Sequence, residues 1–316
     1  MEFRREAVGM ANQRHGEGAL PLWRQRPVGL VGLGLIGGSL GLDLQALGAD
    51  VRALVHRQAT AVRARQRGLA GAVSTDPAVL TDCGLVVLAL PLDRLLTPDP
   101  ALLAALPAEA VVTDVGSVKG PVLAAWERQP GIRFVASHPM AGTAAAGVEA
   151  GEAGLFRDRP WVATPVADTD PGALAAVREL AVAVGGRWLT CAPDQHDRAV
   201  ALISHLPVLV SAALLGTADR GGEGAMAALM RGLASSGFAD TTRVGGGNPD
   251  LGTLMACHNR EALLTALALY RREIAALEQL VRAGDWPELH CFLARTHDLR
   301  PAFLAPPEQA PQGLPD

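Results

Sequence analysis

Between residues 28 and 192 the chain alternates short apolar runs with stretches whose apolar residues recur at helical spacing. The runs are VGLVGL (28–33), VRALV (51–55), LVVLAL (85–90), AVVTDV (110–115) and RFVAS (133–137). WVATPV (161–166) and RWLTCA (187–192) bracket a helix predicted to open near Pro171. Runs apolar on both faces fit parallel strands covered by helices on each side, and strand–helix alternation of this period predicts a doubly wound α/β sheet. After Asp194 the pattern becomes long Ala/Leu-rich segments without β-branched clusters, predicting an all-helical second domain. More apolar helix surface is present there than one small domain can bury, so a helix-packed homodimer is expected. The expected division is an N-terminal flexible tail (1–27), a dinucleotide-binding domain (28–192), a helical substrate and dimerisation domain (193–304) and a C-terminal flexible tail (305–316).

Composition narrows the possibilities. Apolar residues make up 49% of the 316 and charged residues 19%, the profile of a packed globular chain. A net charge of −4 gives no reason to expect nucleic acid or an anionic membrane as partner. No uninterrupted apolar run reaches the ~18 residues that suggest a membrane span. The first 26 residues carry five arginines but no apolar core of a secretory signal, and Met10 offers a second start. Cys83, Cys191, Cys257 and Cys291 are scattered without ligand spacing, which fits the cytoplasm and points to neither disulfides nor a structural metal.

The first run ends in a glycine pattern, Gly32-x-Gly34-x-x-Gly37, between a predicted strand and a predicted helix. The first glycine permits the turn, the second lets backbone approach a pyrophosphate, and the third lets helix pack on strand. Leu35 and Ile36 open the helix whose free N–H groups face the phosphates. After the second strand, where an acid usually meets the adenosine ribose, stand His56 and Arg57, with Thr60 close behind. A carboxylate there repels a 2′-phosphate, whereas a guanidinium attracts it, so the pattern favours NADP over NAD. The plainer reading of Arg57 is a solvated surface cation.

Ligands of such sheets sit beyond the carboxyl ends of the strands. Leu90 and Pro91 lie at one such end, Ser117 in DVGSVK at a second and His138 in SHPMAGT at a third. A neutral imidazole beside a nicotinamide accepts a hydroxyl proton while the carbon loses hydride. His205, in SHLP, reads by itself as a satisfied core residue; Pro207 must kink or restart its helix. Arg243, in a polar, glycine-dense break between helices (235–249), suits a carboxylate or is a solvated loop residue. His15, His196, His258, His290 and His297 are assigned to surfaces or helix faces.

Taken in order, GLGLIGGSL, TDVGSVK, SHPMAGT, ISHLP and GFADTTRVGGGNPDLGT resemble the prephenate/arogenate dehydrogenases of tyrosine biosynthesis over about residues 28–300, and look closest to the compact cyanobacterial arogenate dehydrogenases. The resemblance implies a Rossmann-type sheet followed by a helical dimerisation domain. It implies His138 as the catalytic histidine on the ring hydroxyl, assisted by Ser117. Arg243 is implied as the ligand of the ring carboxylate, His205 and Thr143 as pocket residues, and Asp240 as an acid reaching across the dimer. The implied reaction is NADP-dependent oxidative decarboxylation of arogenate to tyrosine, with prephenate giving 4-hydroxyphenylpyruvate as the alternative. Ala144 stands where many prephenate-using relatives carry an acid, which leans toward arogenate. No metal is called for. A 3-hydroxyacid dehydrogenase would need a helix-borne lysine in the second half, and the one lysine here is Lys119. A non-catalytic dinucleotide sensor would have no use for Ser117, His138 and Arg243 together.

Overall fold

The computed structural model describes residues 20–143 and 145–304. The position of Ala144, the tail expected over 305–316 and all but the end of that expected over 1–27 lie outside them. Six strands, β1 (Val28–Val31), β2 (Val51–Leu54), β3 (Ala72–Ser74), β4 (Leu85–Leu88), β5 (Val111–Asp114) and β6 (Arg133–Val135), form one parallel sheet. Its order is β3-β2-β1-β4-β5-β6, the dinucleotide-binding order of a Rossmann fold, whose switch point lies between β1 and β4. Each side chain of β4 is fully buried, Leu85 and Val87 on one face and Val86 and Leu88 on the other, which is why its sequence reads as a continuous apolar run.

Helices α1 (Leu22–Gln25), α2 (Leu35–Ala46), α3 (Gln58–Gln66), α4 (Leu92–Leu96), α5 (Pro100–Ala105) and α6 (Gly120–Trp126) belong to this layer. α1 corrects the expected N-terminal tail, because Trp23 is buried in the core beside the sheet. The run RFVAS also divides. β6 stops at Val135, and β7 (Ser137–Pro139) joins a second sheet with β8 (Pro160–Ala163) and β9 (Arg187–Thr190), antiparallel to β8. α7 (Pro171–Ala183) links β8 to β9 in a parallel crossover, its N-terminus capped by Asp170 through Ala173 N–H at 2.7 Å.

α8 (Pro193–Val200) runs through a π-helical turn (Ala201–His205) into α9 (Leu206–Arg220). The wide turn accommodates Pro207, which lacks a donor, at the start of α9. The combined 28-residue helix reaches a mean hydropathy of 2.0 over 18 residues, long and apolar enough to cross a membrane, which the interrupted apolar pattern did not foretell. Its first half nevertheless buries His196, Asp197 and His205. α10 (Gly224–Leu233), α11 (Ser236–Thr242) and α12 (Pro249–His258) follow, α12 capped by Asn248. The break expected over 235–249 is therefore helical as far as Thr242, leaving Arg243 at the helix end.

The chain divides into two compact units between Asn259 and Arg260, so that α8 to α12 stand in the first of them. The reason is local: α8 is hydrogen-bonded to the loop before α6, so it belongs to the same unit as the sheet. The second unit contains α13 (Arg260–Ala283) packed on α14 (Trp286–Leu304).

Candidate active site

The glycine loop lies between β1 and α2. Gly32 has φ +95°, and a Cβ there would stand 2.4 Å from the Ala89 carbonyl oxygen. A Cβ on Gly37 would meet the Gly32 oxygen at 2.0 Å, so α2 approaches the loop closer than any side chain allows. A Cβ on Gly34 would meet nothing within 4 Å. Gly34 is the N-cap of α2, without a side-chain cap or an acid in the first turn. The backbone thus presents open space and unpaired donors, with Leu35 and Ile36 opening the helix, as a pyrophosphate requires. Leu90 and Pro91 follow β4 on the adjoining strand end.

Beyond β2, His56 and Arg57 are exposed, and Arg57 is the N-cap of α3. The first turn of α3 has no acid, and among the described residues Arg57 forms no ion pair, although Arg52, Arg63 and Arg67 all do. Thr60 lies half-buried in that first turn. The first turn of α3 thus presents an exposed guanidinium and no carboxylate.

His138 sits in the middle of β7, 8% exposed. Its Nδ1 lies 3.0 Å from Nε2 of His196 on α8, and Nδ1 of His196 lies 2.8 Å from Oδ1 of Asp197. The Asp197 carboxylate also accepts the Lys119 N–H at 2.7 Å and the Gly120 N–H at 2.9 Å. Burial works against its charge, but the bonds from His196, Lys119 and Gly120 outweigh it and hold its carboxyl below the usual range. An ionised Asp197 fixes the tautomers in series. His196 donates Nδ1–H to Asp197, its Nε2 accepts Nδ1–H from His138, and Nε2 of His138 keeps a free lone pair. Burial, reinforced by His196, Lys119 and His205, pushes the His138 imidazolium well below the usual histidine range, so the ring is neutral at physiological pH.

The strand carrying His138 is clamped from below. Asp114 at the end of β5 accepts the Ser137 N–H at 3.1 Å, and Lys119 Nζ bridges Asp114 to the Ser137 carbonyl at 2.7 Å. The Ser137 hydroxyl meets the Asp114 carbonyl, Thr113 and the Trp161 indole. Lys119 is fully buried in this clamp.

His205 is 1% exposed in the π-helical turn. Asn259 Nδ2 donates to its Nδ1 at 3.2 Å and to the Asp197 carbonyl at 2.7 Å, so the proton of His205 is on Nε2, which is buried without a partner among the described residues. Burial, with His196 adding to it, pulls the His205 pKa down to about 4. The sign is definite: the unfolded histidine takes up its proton near pH 6.5 and the folded one does not until about pH 4. Stability is therefore expected to fall as pH drops from about 6.5 to about 4. Thermal unfolding followed across that range should give a shallower decline for His205→Asn than for the parent chain.

Thr143 and Arg243 line a common polar cleft of about 360 Å³ with Glu152, Arg157 and Arg159. Ser117 is half-buried between β5 and α6 and makes no hydrogen bond to His138 among the described residues; that place is taken by His196. Asp240 is exposed on α11.

Two family models match in succession: "Prephenate dehydrogenase, nucleotide-binding domain" over residues 40–190 and "Prephenate dehydrogenase, dimerization domain" over 192–295. A cyclohexadienyl dehydrogenase of Zymomonas mobilis is 31% identical over 288 residues, covering 87% of this chain and 98% of its own. The chain belongs to the prephenate dehydrogenase family. Among solved members, the Synechocystis arogenate dehydrogenase superposes with a TM-score of 0.72 at 40% identity, covering 88% of this chain and 99% of its own. The Aquifex aeolicus prephenate dehydrogenase in complex with hydroxyphenyl propionate and NAD+ gives 0.81 at 27% identity, covering 88% and 98%.

Within this family member, the assignment of His196 to a surface or helix face is corrected: it is 3% exposed and bonded to His138, from 58 positions away. The adjacent His–Asp pair at the start of a helix was the available signal, since an imidazole beside a carboxylate is a common orienting unit. Arg157 and Arg159 were also passed over, lying in FRDRP without a recognisable spacing.

Proposed function

We propose that the chain oxidises and decarboxylates arogenate to tyrosine with NADP. The observation carrying this reading is the Asp197–His196–His138 series, which leaves the Nε2 lone pair of a neutral His138 free on β7. A bound nicotinamide dinucleotide supplies the hydride acceptor. His138 Nε2 takes the proton of the ring C4 hydroxyl as hydride leaves that carbon. Arg243 holds the ring carboxylate until it departs as CO2, its bonding electrons completing the aromatic ring. The same His138 nitrogen returns the proton to the phenolate oxygen. His205 donates Nε2–H to a substrate oxygen, Thr143 lines the pocket and Ser117 supports the hydroxyl end. Holding the partners in register supplies much of the rate, since no covalent intermediate is needed.

Cofactor choice rests on Arg57, His56 and Thr60, and on the absence of an acid after β2. The assay that tests the reading compares arogenate and prephenate, each with NADP and NAD; fastest turnover with prephenate and NAD would overturn both choices. The prephenate reading is favoured by the likeness to the Aquifex aeolicus enzyme and its NAD+ complex. In the same assay Arg57→Ala should raise KM for NADP by ~10- to 100-fold, the scale of one charge-assisted contact, and leave NAD nearly unchanged. Equal losses with the two cofactors would remove Arg57 from phosphate recognition.

A homodimer is part of the proposal. Met226, Leu229 and Leu233 on α10 and Leu251 on α12 are exposed, within the region matched by the dimerization-domain model. In this reading Asp240, exposed on neighbouring α11, serves a second copy's site.

A further inference from the structure

The cleft holding Thr143 and Arg243 contains more charge than one ring carboxylate uses. Arg157, Arg159 and Arg243 line it together with a single acid, Glu152. Among the described residues none of these three guanidiniums forms an ion pair. Arg157 has Asp43 within electrostatic reach, while Asp43 itself accepts the Gly154 N–H at 2.8 Å. Other arginines are treated differently: Arg63 and Arg67 pair with Glu149, and Arg133 with Asp170.

The turn presenting Arg157 and Arg159 is built without their side chains. Between them Asp158 has φ +58°, the one non-glycine residue in the left-handed region among the described residues. Such a conformation costs about 1 kcal/mol and persists where its surroundings hold it. Here Asp158 N–H donates to the Gly185 carbonyl at 2.9 Å, Arg187 N–H donates to the Arg159 carbonyl at 2.8 Å, and Phe156 is buried against Trp161. The reversal at Asp158 brings Arg157 and Arg159 to one cleft. Glu152 is anchored by its own N–H, which donates to Ser39 Oγ at 2.9 Å, and its side chain is exposed.

We infer that Arg159, seconded by Arg157, binds the substrate's side-chain carboxylate, and that Glu152 receives the side-chain ammonium that distinguishes an amino-acid substrate from a keto-acid one. This rests on the reading above that the ring hydroxyl lies at His138 and the ring carboxylate at Arg243. Both candidate substrates carry ring carboxylate and side chain on the carbon opposite the hydroxyl, so both anionic groups fall at the same end. Two carboxylates and one ammonium complement arginines and a glutamate. With a keto acid, Glu152 faces a carbonyl oxygen and repels it. Arginine suits the carboxylates because its planar fork matches them in two-point contact.

Hydroxyphenyl propionate separates the two anion sites, because it has the phenol and the side-chain carboxylate but no ring carboxylate. Calorimetric titration into the full chain with NADP present is expected to give an affinity ~10- to 100-fold weaker for Arg159→Ala, the range for a charged hydrogen bond. Arg243→Ala should stay within about threefold of the parent on the same scale. The reverse order, equal losses, or no binding to the parent chain would each overturn the assignment. Steady-state kinetics then test Glu152→Gln, with KM for arogenate rising ~10-fold on the same basis and KM for prephenate unchanged or lower. Equal changes for both substrates would remove Glu152 from discrimination. The titration requires no turnover, so a chain that binds the probe as expected but oxidises neither substrate refutes the proposed reaction and leaves the anion site standing. Arg159 and Glu152 are exposed, and unchanged melting temperatures of the variants would exclude unfolding as the cause.

Discussion

Replacing His138 with asparagine should lower turnover by about 10²- to 10⁴-fold, the usual contribution of a general base. The loss should fall on kcat, with dinucleotide affinity retained, because the glycine loop and the Arg57 region are built from β1, α2 and α3, whereas β7 belongs to the second sheet. Asparagine keeps a donor toward His196 Nε2 and so spares the buried hydrogen bond, but it has no lone pair of suitable basicity for the substrate hydroxyl. Steady-state rates with a parallel cofactor titration check this. A kcat within about tenfold of the parent would place the proton acceptor elsewhere.

Asp197→Asn is the second variant with a large expected effect, and it acts without touching substrate. The carboxylate makes His196 a donor at Nδ1 and hence an acceptor at Nε2, and it orients the Lys119 and Gly120 amides besides. A carboxamide that turns its NH2 to His196, giving up the Lys119 N–H bond to the same atom, reverses the series: His196 donates from Nε2, His138 accepts at Nδ1, and His138 Nε2 carries the proton it should be receiving. In serine proteases the corresponding change of a histidine-orienting aspartate lowers kcat by about 10⁴, with geometry intact. A fall of about 10²- to 10⁴-fold is expected here, accompanied by a lower melting temperature, since a hydrogen bond to a charged group is worth about 1.5–3 kcal/mol. The melting change alone, with kcat near the parent value, would show Asp197 to be a structural cap and leave the His138 tautomer to another cause.

The parallel sheet was legible because β1, β4 and β5 are covered on both faces and therefore carry unbroken apolar runs. The glycine positions were legible because van der Waals contact at Gly32 and Gly37 leaves no alternative residue. His138 could be found because it follows a run that reads as a core strand, where ligands of such sheets bind, although the structure sets it within β7 of the second sheet. The split of RFVAS was not visible: Val135 and Ser137 belong to different sheets because Asp114 and Lys119 clamp Ser137, and that clamp depends on tertiary contacts. His196 was hidden for a related reason, since its burial follows from α8 docking beside the loop before α6, which no periodicity in PDQHDRAV reports. The helical stretch around SHLP was legible from its apolar period, but the form of its break was not: a π-helical turn absorbs Pro207 and lets α8 run on into α9. The arginines of FRDRP gained meaning only once Asp158 was seen to reverse the backbone between them.

The clamp under His138 has a chemical consequence for the whole surface. Every other basic side chain among the 28 is an arginine, so the single ε-amine of the chain is enclosed at zero exposure. The folded chain therefore shows solvent no lysine to acylate, methylate, cross-link or conjugate. Reagents selective for side-chain amines reach it only when its enclosure opens, so their uptake at Lys119 reports the parting of β5 from β7.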